Sequence, residues 1–461
     1  MDKFRFFHSR LTRVSGVLAG ALAGIVTVVL SGTALAHRVV QPAAQPLLEA
    51  THLPPLLTTR GEAIELRYDV YCARSEADVD TPCSADGTVF VRAGDTGTFQ
   101  KIAVREERGA SEGRYVALLP ESIAQASTGF SYYAVFRSDE TGRATTLPAG
   151  GSAAPQRGFR LGRSIEVALG AHTFGSEREA DARVAEAAWG TGAAEAGLEQ
   201  GRNLTPIGGS AFDIEEDGTV VVLDEAKKRL LRWHENGEMP DAVPLAINGT
   251  LADMSIGKDG MVYVLETASM HGEPVLRTFD RDGASHTTSA VAERPSQVRV
   301  GPDGPVVLQS PSAQWMPAAR EGRPVGVSGQ ISAGESGRPL PDGRKIVILR
   351  NGNEVRVALV GSVGVQRAWL VTSDTPLAEV QLAEPHGAGV VLVTRVFTDD
   401  RDEFVVLVLD RRGIVSRFAL DSADWAETAP LSRFRIRGSF LYQLGSTPAG
   451  LFVDRFDLEV E

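Results

Sequence analysis

The chain has 461 residues, of which 43% are hydrophobic and 23% are charged, and its formal net charge is -12. These fractions are ordinary for a soluble globular protein, and the length favours two or three domains over one small domain. Because an acidic surface repels phosphate backbones, nucleic acid is excluded as an expected partner.

The first 36 residues have the layout of an export signal. A basic segment precedes an uncharged run over residues 14–36, which ends in the small-x-small cleavage pattern Ala34-Leu35-Ala36. The run is also long enough to cross a bilayer, for which about 20 residues suffice. A cleaved signal peptide and an uncleaved N-terminal membrane anchor therefore stay open. Either one predicts an exported protein, secreted or held in the cell envelope, that contacts a membrane only through this segment.

Residues 37–60 are rich in Pro, Ala, Thr and Leu without a clear period, so we predict a linker there. Residues 61–162 then alternate apolar and polar side chains over short segments that turn formers separate. This spacing predicts a small antiparallel β-sandwich. The run from Phe130 to Val135 resembles a late strand of an immunoglobulin- or fibronectin-like domain.

Two cysteines, Cys72 and Cys83, occur in the chain, and both fall in the predicted sandwich. In an oxidising compartment, two cysteines this close in sequence are expected to form a disulfide that closes a short loop. The expected disulfide agrees with export.

Residues 163–204 are predicted to be a connector between the sandwich and a repeat region. The Ala- and Glu-rich stretch Glu177–Glu195 favours a short helix, since both residue types are good helix formers. A segment near residues 165–175 is expected to add a strand that helps to close the repeat domain.

From residue 205 to the C-terminus the chain repeats a hairpin signature. The pairs Asp217-Gly218, Asp259-Gly260 and Asp303-Gly304 lie 42 and 44 residues apart, each between two apolar runs. Asp-Gly supplies the positive φ that tight hairpins need. Four short strands per 40–45 residues is roughly the period of a propeller blade, and such blades must stack to bury both faces. The sequence therefore predicts an all-β fold in which a six-bladed β-propeller over 205–461 follows the sandwich.

The first copy of the repeat, Asp213–Asp224 followed by Arg229–Gly237, resembles NHL repeats. These carry an Asp-Gly hairpin, an apolar strand that ends in Asp, then a basic residue and an apolar pair. Glu266 and Gln309 stand at the Asp position in the next two copies. Together with Trp189–Gly192 before the repeat, the chain resembles uncharacterised exported bacterial proteins of this type. The resemblance implies a six-bladed propeller and leaves activity open, because propellers host both binders and enzymes.

Polar residues recur at two register positions of the predicted innermost strands, which line the central channel of a propeller. Asp213, Ser255 and Arg299 share one position, and Asp253 and Gln297 share the other. We expect these five side chains either to contact a small ligand or cation or simply to hydrogen-bond neighbouring strands.

The sequence favours a non-enzymatic envelope or secreted protein that presents its propeller to an unknown protein, peptide or glycan. It indicates no catalytic residues, and it leaves open whether a cofactor is bound. The alternative is a metal-dependent hydrolase or lactonase that uses the channel. Gluconolactonase-type propellers, which this repeat resembles, hold a divalent cation there through acidic and amide side chains, although this sequence shows no convincing set of metal ligands. A third interpretation, a structural spacer in an envelope assembly, would lack any solvent-open pocket in the ring.

Overall fold

The computed structural model describes residues 47–73, 84–107, 109–110, 112–201, 205–234, 239–268, 274–291, 294–310, 312–320, 323–324, 334–426 and 432–459. Within them lie 37 strands and one four-residue helix, so the predicted all-β fold is confirmed. None of these described segments contains a helix long and apolar enough to cross a bilayer. The predicted signal or anchor, residues 1–36, lies outside the described residues.

The first ten strands form two sheets, A and B. They are β1 (Leu47–His52), β2 (Leu57–Thr58), β3 (Glu65–Ala73), β4 (Ala85–Ala93), β5 (Gln100–Ala103), β6 (Arg105–Glu106), β7 (Arg114–Leu118), β8 (Phe130–Ser138), β9 (Ala144–Leu147) and β10 (Gln156–Arg160). Sheet A has the order β1-β3-β7-β6, and sheet B has the order β2-β10-β8-β4-β5 with β9 beside β8. The helix α1 (Glu121–Ala124) lies between β7 and β8.

Sheets A and B share one apolar core, because alternate residues of each strand point to the same side. Leu66, Tyr68 and Val70 of β3 pack in it with Val89 of β4 and Phe136 of β8. All five are almost fully buried. The alternation that the sequence shows along β3 therefore selects the face that meets sheet B.

The structure differs from the predicted linker over residues 37–60, because β1 and β2 fall inside it. β1 pairs with β3, and β2 runs parallel to β10, whose sequence lies about a hundred residues further on. Both strands are short and Pro54-Pro55 separates them, so no strand period shows in the sequence. Cys72 lies in β3, but Cys83 is outside the described residues, and the disulfide stays a prediction.

The later strands build six further sheets. They are β11 (Ile165–Ala168), β12 (Ala182–Ala188), β13 (Gly209–Ile214), β14 (Val220–Asp224), β15 (Arg229–Trp233), β16 (Asp241–Pro244), β17 (Thr250–Ile256), β18 (Val262–Ala268), β19 (Val275–Phe279), β20 (Ser285–Ala290), β21 (Pro295–Gly301), β22 (Gly304–Gln309), β23 (Gln314–Pro317), β24 (Ala319–Arg320), β25 (Arg323–Pro324), β26 (Glu335–Ser336), β27 (Arg338–Pro339), β28 (Lys345–Asn351), β29 (Glu354–Gly361), β30 (Gly364–Thr372), β31 (Leu377–His386), β32 (Gly389–Phe397), β33 (Asp402–Asp410), β34 (Gly413–Asp421), β35 (Phe434–Arg437), β36 (Phe440–Thr447) and β37 (Gly450–Asp457).

We number these six sheets along the chain. Sheet 1 is β13–β16, sheet 2 is β17–β20, sheet 3 is β21, β22, β23 and β26, sheet 4 is β27–β30 with β11, sheet 5 is β31–β34, and sheet 6 is β35–β37 with β12. β24 and β25 form a separate pair. Sheets of four antiparallel strands in chain succession are the building units of propellers.

The hairpins between the first two strands of sheets 1, 2 and 4 have the turn chemistry that the repeat predicts, whereas Gly304 in the corresponding hairpin of sheet 3 has a φ of 122°. Gly218, Gly260 and Gly343 have φ between 78° and 86°. In each turn the preceding aspartate accepts a hydrogen bond from the backbone N–H two residues later, for example Asp217 Oδ1 from Thr219 at 3.0 Å. The Asp-Gly pairs therefore close the hairpins through both backbone freedom and side-chain bonding.

Neighbouring sheets bury both faces against one another. In β32, Val390 and Leu392 pack against sheet 4, whereas Val391 and Val393 pack against sheet 6. Shared apolar clusters join sheets 6 and 1, 1 and 2, 2 and 3, 4 and 5, and 5 and 6. This two-sided burial explains why such strands are almost continuously hydrophobic in sequence.

The predicted helix over Glu177–Glu195 is wrong, because β12 occupies this stretch and pairs antiparallel with β37. Alanines at positions 185 and 187 are buried in the cluster that sheets 6 and 1 share. Tertiary pairing overrides helix propensity here. β12 thus completes sheet 6 beside β37, whereas β11 in the expected 165–175 segment pairs in parallel with β30 as a fifth strand of sheet 4.

The seam between sheets 3 and 4 differs from the other five. There the N-terminal residues Leu57 and Phe159 pack against Val347 and Ala358 of sheet 4. On the sheet 3 side, Ser336 accepts hydrogen bonds from the side chain of Gln156 at 2.9 Å and from the Arg157 backbone at 2.8 Å. The N-terminal residues therefore lie between sheets 3 and 4, whereas the other sheets pack directly on their neighbours.

Candidate functional site

The first strands of five of the sheets pack beside one another. β13 packs beside β17, β17 beside β21, β31 beside β35, and β35 beside β13. Polar side chains from these strands converge there in what we call the central polar cluster, whose members are Asp213, Asp253, Ser255, Arg299, Ser432 and Arg435.

Asp253 lies at the middle of this cluster and is fully buried. One carboxylate oxygen accepts the Val298 backbone N–H at 3.0 Å and Arg299 Nη1 at 2.5 Å. The other accepts the Ser432 hydroxyl at 2.5 Å and Arg435 Nη2 at 3.0 Å. Asp253 therefore links sheets 2, 3 and 6 through four hydrogen bonds, which is the satisfaction that a buried carboxylate needs.

Asp213 makes a second set of links beside it. Its Oδ2 accepts the Ile256 backbone N–H at 2.8 Å and the Ser255 hydroxyl at 3.3 Å. Its Oδ1 lies 3.8 Å from Nε of Arg435. Four of the five candidate residues from the sequence, Asp213, Asp253, Ser255 and Arg299, are thus brought together.

Sequence reasoning missed Ser432 and Arg435. Arg435 lies in the segment Phe434-Arg435-Ile436, which has the same apolar-Arg-apolar pattern as Val298-Arg299-Val300. That pattern was the available signal, although the last copy of the repeat has no Asp-Gly pair to fix its register. Ser432 lies before β35 and carries no such pattern.

The charges in the cluster shift the pKa values of its arginines in opposite directions. Burial acts to lower the pKa of Arg299, but the carboxylates of Asp253, Glu384 and Asp213 outweigh it and raise that pKa. Burial and the positive charge of Arg299 lower the pKa of Arg435, against the attraction of Asp253 and Asp213. Asp253 therefore favours the charged form of both buried guanidinium groups.

A cavity of about 230 Å³ adjoins the cluster at the seam of sheets 3, 4 and 5. We call it the seam cavity. Its polar lining consists of Gln297, Arg299, Arg338, Gln381 and Glu384, and its apolar lining includes Trp315 and the N-terminal residue Leu56. Gln297, the fifth candidate residue from the sequence, lies here and not in the central polar cluster.

Arg338 and Glu384 form an ion pair in the lining of the seam cavity. Arg338 Nη2 donates to Glu384 Oε2 at 2.5 Å and to the Ala383 carbonyl at 3.3 Å. The Glu384 side chain remains 22% exposed, so it can meet a ligand as well as its partner. Arg338 is placed by Gly337, whose φ of +95° turns the chain from β26 into β27.

The arrangement of these side chains does not favour the alternative function of a metal-dependent hydrolase or lactonase. In the part of the chain that the structure describes, no three His, Cys, Asp or Glu side chains converge as a metal would require. Asp213 and Asp253 instead face arginines and backbone N–H groups. A divalent cation there would have to displace positive charge that is already buried.

Comparisons with known proteins give neither a family nor an activity. No family model and no curated protein matches the chain. Among solved structures, a protein of unknown function from Desulfotomaculum acetoxidans is 14% identical, with 56% of this chain and 86% of that chain covered and a TM-score of 0.36. BamB from Moraxella catarrhalis is 14% identical, with 63% and 94% covered and a TM-score of 0.30. Virginiamycin B lyase from Staphylococcus aureus is 9% identical, with 89% and 99% covered and a TM-score of 0.21. The last two are propeller-type proteins, but at such low scores these likenesses carry no inference about ligand or activity.

Proposed function

We propose that this chain is an exported binding protein without enzymatic activity, which receives part of a peptide or glycan in the seam cavity. The observation that carries the proposal is the cavity itself, which is open to solvent and combines convergent polar groups with apolar lining. Ligand sites commonly have this composition. A purely structural spacer would need no such pocket.

The proposal keeps the finer architecture that we infer from the sequence. The six sheets would be the blades of an NHL-like six-bladed propeller, and sheets A and B would be an immunoglobulin- or fibronectin-like sandwich. The succession of six sheets with four or more strands supports the first assignment, and the core shared by sheets A and B supports the second. Export rests on the signal-like segment over residues 14–36 and on the two cysteines.

The central polar cluster would serve this function as a rigid wall. Its charges are paired and its hydrogen bonds link four sheets, so Arg299 reaches the seam cavity from a fixed position. A site built on such rigid elements loses less conformational entropy when a ligand binds.

A cavity-filling variant tests the proposal. Gln381→Trp places a bulky side chain in the cavity wall, whereas Gln366→Trp changes an exposed residue of sheet 4 that does not line the cavity. The wild type and both variants would be applied to peptide and glycan arrays. We expect a ligand that binds the wild type and Q366W but not Q381W. The proposal would be contradicted if the wild type binds no array member, or if Q381W binds every such ligand as well as the wild type does.

A further inference from the structure

The seam cavity has the size of one small polar unit. Pockets for drug-sized ligands have volumes of roughly 300–1,000 Å³, and this cavity of about 230 Å³ is smaller. That space suits a single sugar ring or one amino-acid side chain.

The charges that line the cavity are already neutralised within the protein. Arg299 pairs with Asp253 at 2.5 Å, and Arg338 pairs with Glu384 at 2.5 Å. An anionic ligand would have to compete with these carboxylates, and a cationic ligand would meet two arginines. The electrostatic balance therefore favours an uncharged ligand.

The remaining polar groups suit a ligand with several hydroxyl groups. A hydroxyl donates one hydrogen bond and accepts up to two, so it can satisfy donors and acceptors together. The cavity offers both kinds side by side, in the Arg338 guanidinium, the Glu384 carboxylate and the amides of Gln297 and Gln381. The Gln381 amide nitrogen donates to Glu379 at 2.8 Å, which turns its carbonyl into the free acceptor.

The apolar part of the lining completes the match. Trp315 comes from sheet 3, Leu56 from the N-terminal sheets and Ile348 from sheet 4. A sugar ring carries aliphatic C–H groups on its faces and hydroxyl groups around its edge. A cavity with an aromatic side chain and apolar walls on one part and planar polar groups on another is complementary to both.

We propose that the seam cavity binds one uncharged pyranose ring of a glycan, with Arg338, Glu384 and Gln381 bonded to its hydroxyl groups and Trp315 packed against its C–H groups. This inference rests on the proposed binding function and names the ligand class for the same site. Leu56 makes the N-terminal sheets part of the sugar site.

The test uses the full chain and defined probes. Methyl glycosides of glucose, galactose, mannose and N-acetylglucosamine would be titrated by isothermal calorimetry or ligand-observed NMR. Glucuronate, glucosamine and tripeptides with apolar, acidic or basic side chains would be titrated in parallel. We expect saturable binding of at least one neutral glycoside and weaker binding of its charged relatives.

Two variants and one matched control connect that binding to the cavity. Glu384→Gln replaces an accepting carboxylate oxygen with a donating NH2 group, and Gln381→Ala removes an amide. Each variant should weaken binding of the neutral glycoside about tenfold or more. Gln366→Ala removes an exposed amide of sheet 4 that does not line the cavity and should leave the affinity unchanged. The half-buried Gln381 provides a variant that should fold even if the change at Glu384 disturbs the Arg338 pair.

Two results would overturn the inference in different ways. In the first, a tripeptide or a charged sugar binds, Q381W abolishes that binding, and no neutral glycoside binds. The ligand class is then wrong, but the binding function stands. If no probe binds in a manner that Q381W abolishes, both the sugar site and the proposed function are wrong.

Discussion

At the scale of single residues, Asp253 is a charged group in the interior of the molecule. Its carboxylate is fully buried and holds Arg299 and Arg435 at once. Removing one partner of a buried ion pair leaves an uncompensated charge and typically costs about 3–5 kcal/mol. The stability of the ring should therefore depend on this single carboxylate.

Asp253→Asn keeps the shape of the side chain and removes its charge. We expect this variant to lower the free energy of unfolding by about 3 kcal/mol or more, measured by urea denaturation at neutral pH. The control is Asp241→Asn, because the Asp241 side chain is 73% exposed beside His234. The control should change stability by less than about 1 kcal/mol, and equal stabilities of D253N and the wild type would contradict this role.

His52 gives the N-terminal sheets a pH dependence. Burial lowers the pKa of His52 from 6.5 to about 4, although the bond of its Nδ1 to the Arg67 carbonyl opposes the shift. Its Nε2 lies 2.7 Å from the Tyr132 hydroxyl and accepts that proton when the ring is neutral. The folded state therefore binds fewer protons than the unfolded chain between these two pKa values, and stability must fall as the pH falls through that window.

The expected loss from His52 is about 3 kcal/mol between pH 6.5 and 4. His52→Gln should remove this contribution, so the difference between the pH profiles of wild type and variant isolates it from other titrating groups. His286→Gln, at a half-exposed side chain of sheet 2, should retain the wild-type slope. If H52Q and the wild type lose the same stability as the pH falls, burial of His52 does not cause this pH dependence.

Register explains which site residues could be predicted from the sequence. Asp213, Ser255 and Arg299 each lie four residues before an Asp-Gly pair, so the repeat alone places them together. Gln297 shares a register position with Asp253, yet it lines the cavity, because the N-terminal sheets interrupt the stacking beyond sheet 3. Leu56 and Glu384 lie outside any repeat that the sequence shows and become site residues only through tertiary contacts.

At the scale of elements, β12 shows where local propensity fails. Its sequence, Ala182–Ala188, contains good helix formers. The edge of β37 in sheet 6, however, offers backbone hydrogen-bond partners along this segment. Burial alternates along the strand, with positions 185 and 187 inside and 186 and 188 outside. Hairpins with Asp-Gly pairs, by contrast, carry their own geometry and could be predicted.

Two neighbouring alanines of β12 test this pairing. Ala187→Asp places an unpaired carboxylate in the core between sheets 6 and 1, whereas Ala188→Asp places it in solvent. We expect A187D to lower the free energy of unfolding by several kcal/mol, about 3 or more. A188D should stay within about 0.5 kcal/mol of the wild type. Equal effects of the two variants in thermal or urea unfolding would show that β12 does not pack as described.

At the scale of the whole molecule, the N-terminal sheets take the place of a sheet-to-sheet contact. Leu57 and Phe159 cover the face of sheet 4 that other sheets bury against their neighbours. The sequence shows two separate domains and carries no signal for this docking, because the residues in contact lie roughly two hundred or more positions apart. The proposed ligand site depends on it, since Leu56 lines the seam cavity.

Arg356 of sheet 4 is the polar anchor of this docking. Its Nη1 donates to the Leu57 carbonyl at 2.8 Å and to Glu62 at 2.7 Å, and its side chain is only 8% exposed. Burial acts to raise the pKa of Glu62, but the hydrogen bonds from Arg356 and from the Thr59 backbone outweigh it and lower that pKa. Both ends of the contact therefore favour the charged pair.

A double-mutant cycle across this contact tests the docking most directly. The unfolding free energies of wild type, Glu62→Gln, Arg356→Met and the double variant would be measured by urea denaturation under one condition. Residues in contact typically show coupling energies of about 0.5–3 kcal/mol, and we predict a coupling of about 1 kcal/mol or more. Effects that add within about 0.3 kcal/mol would mean that the N-terminal sheets do not sit against sheet 4 and that the seam cavity lacks its N-terminal wall.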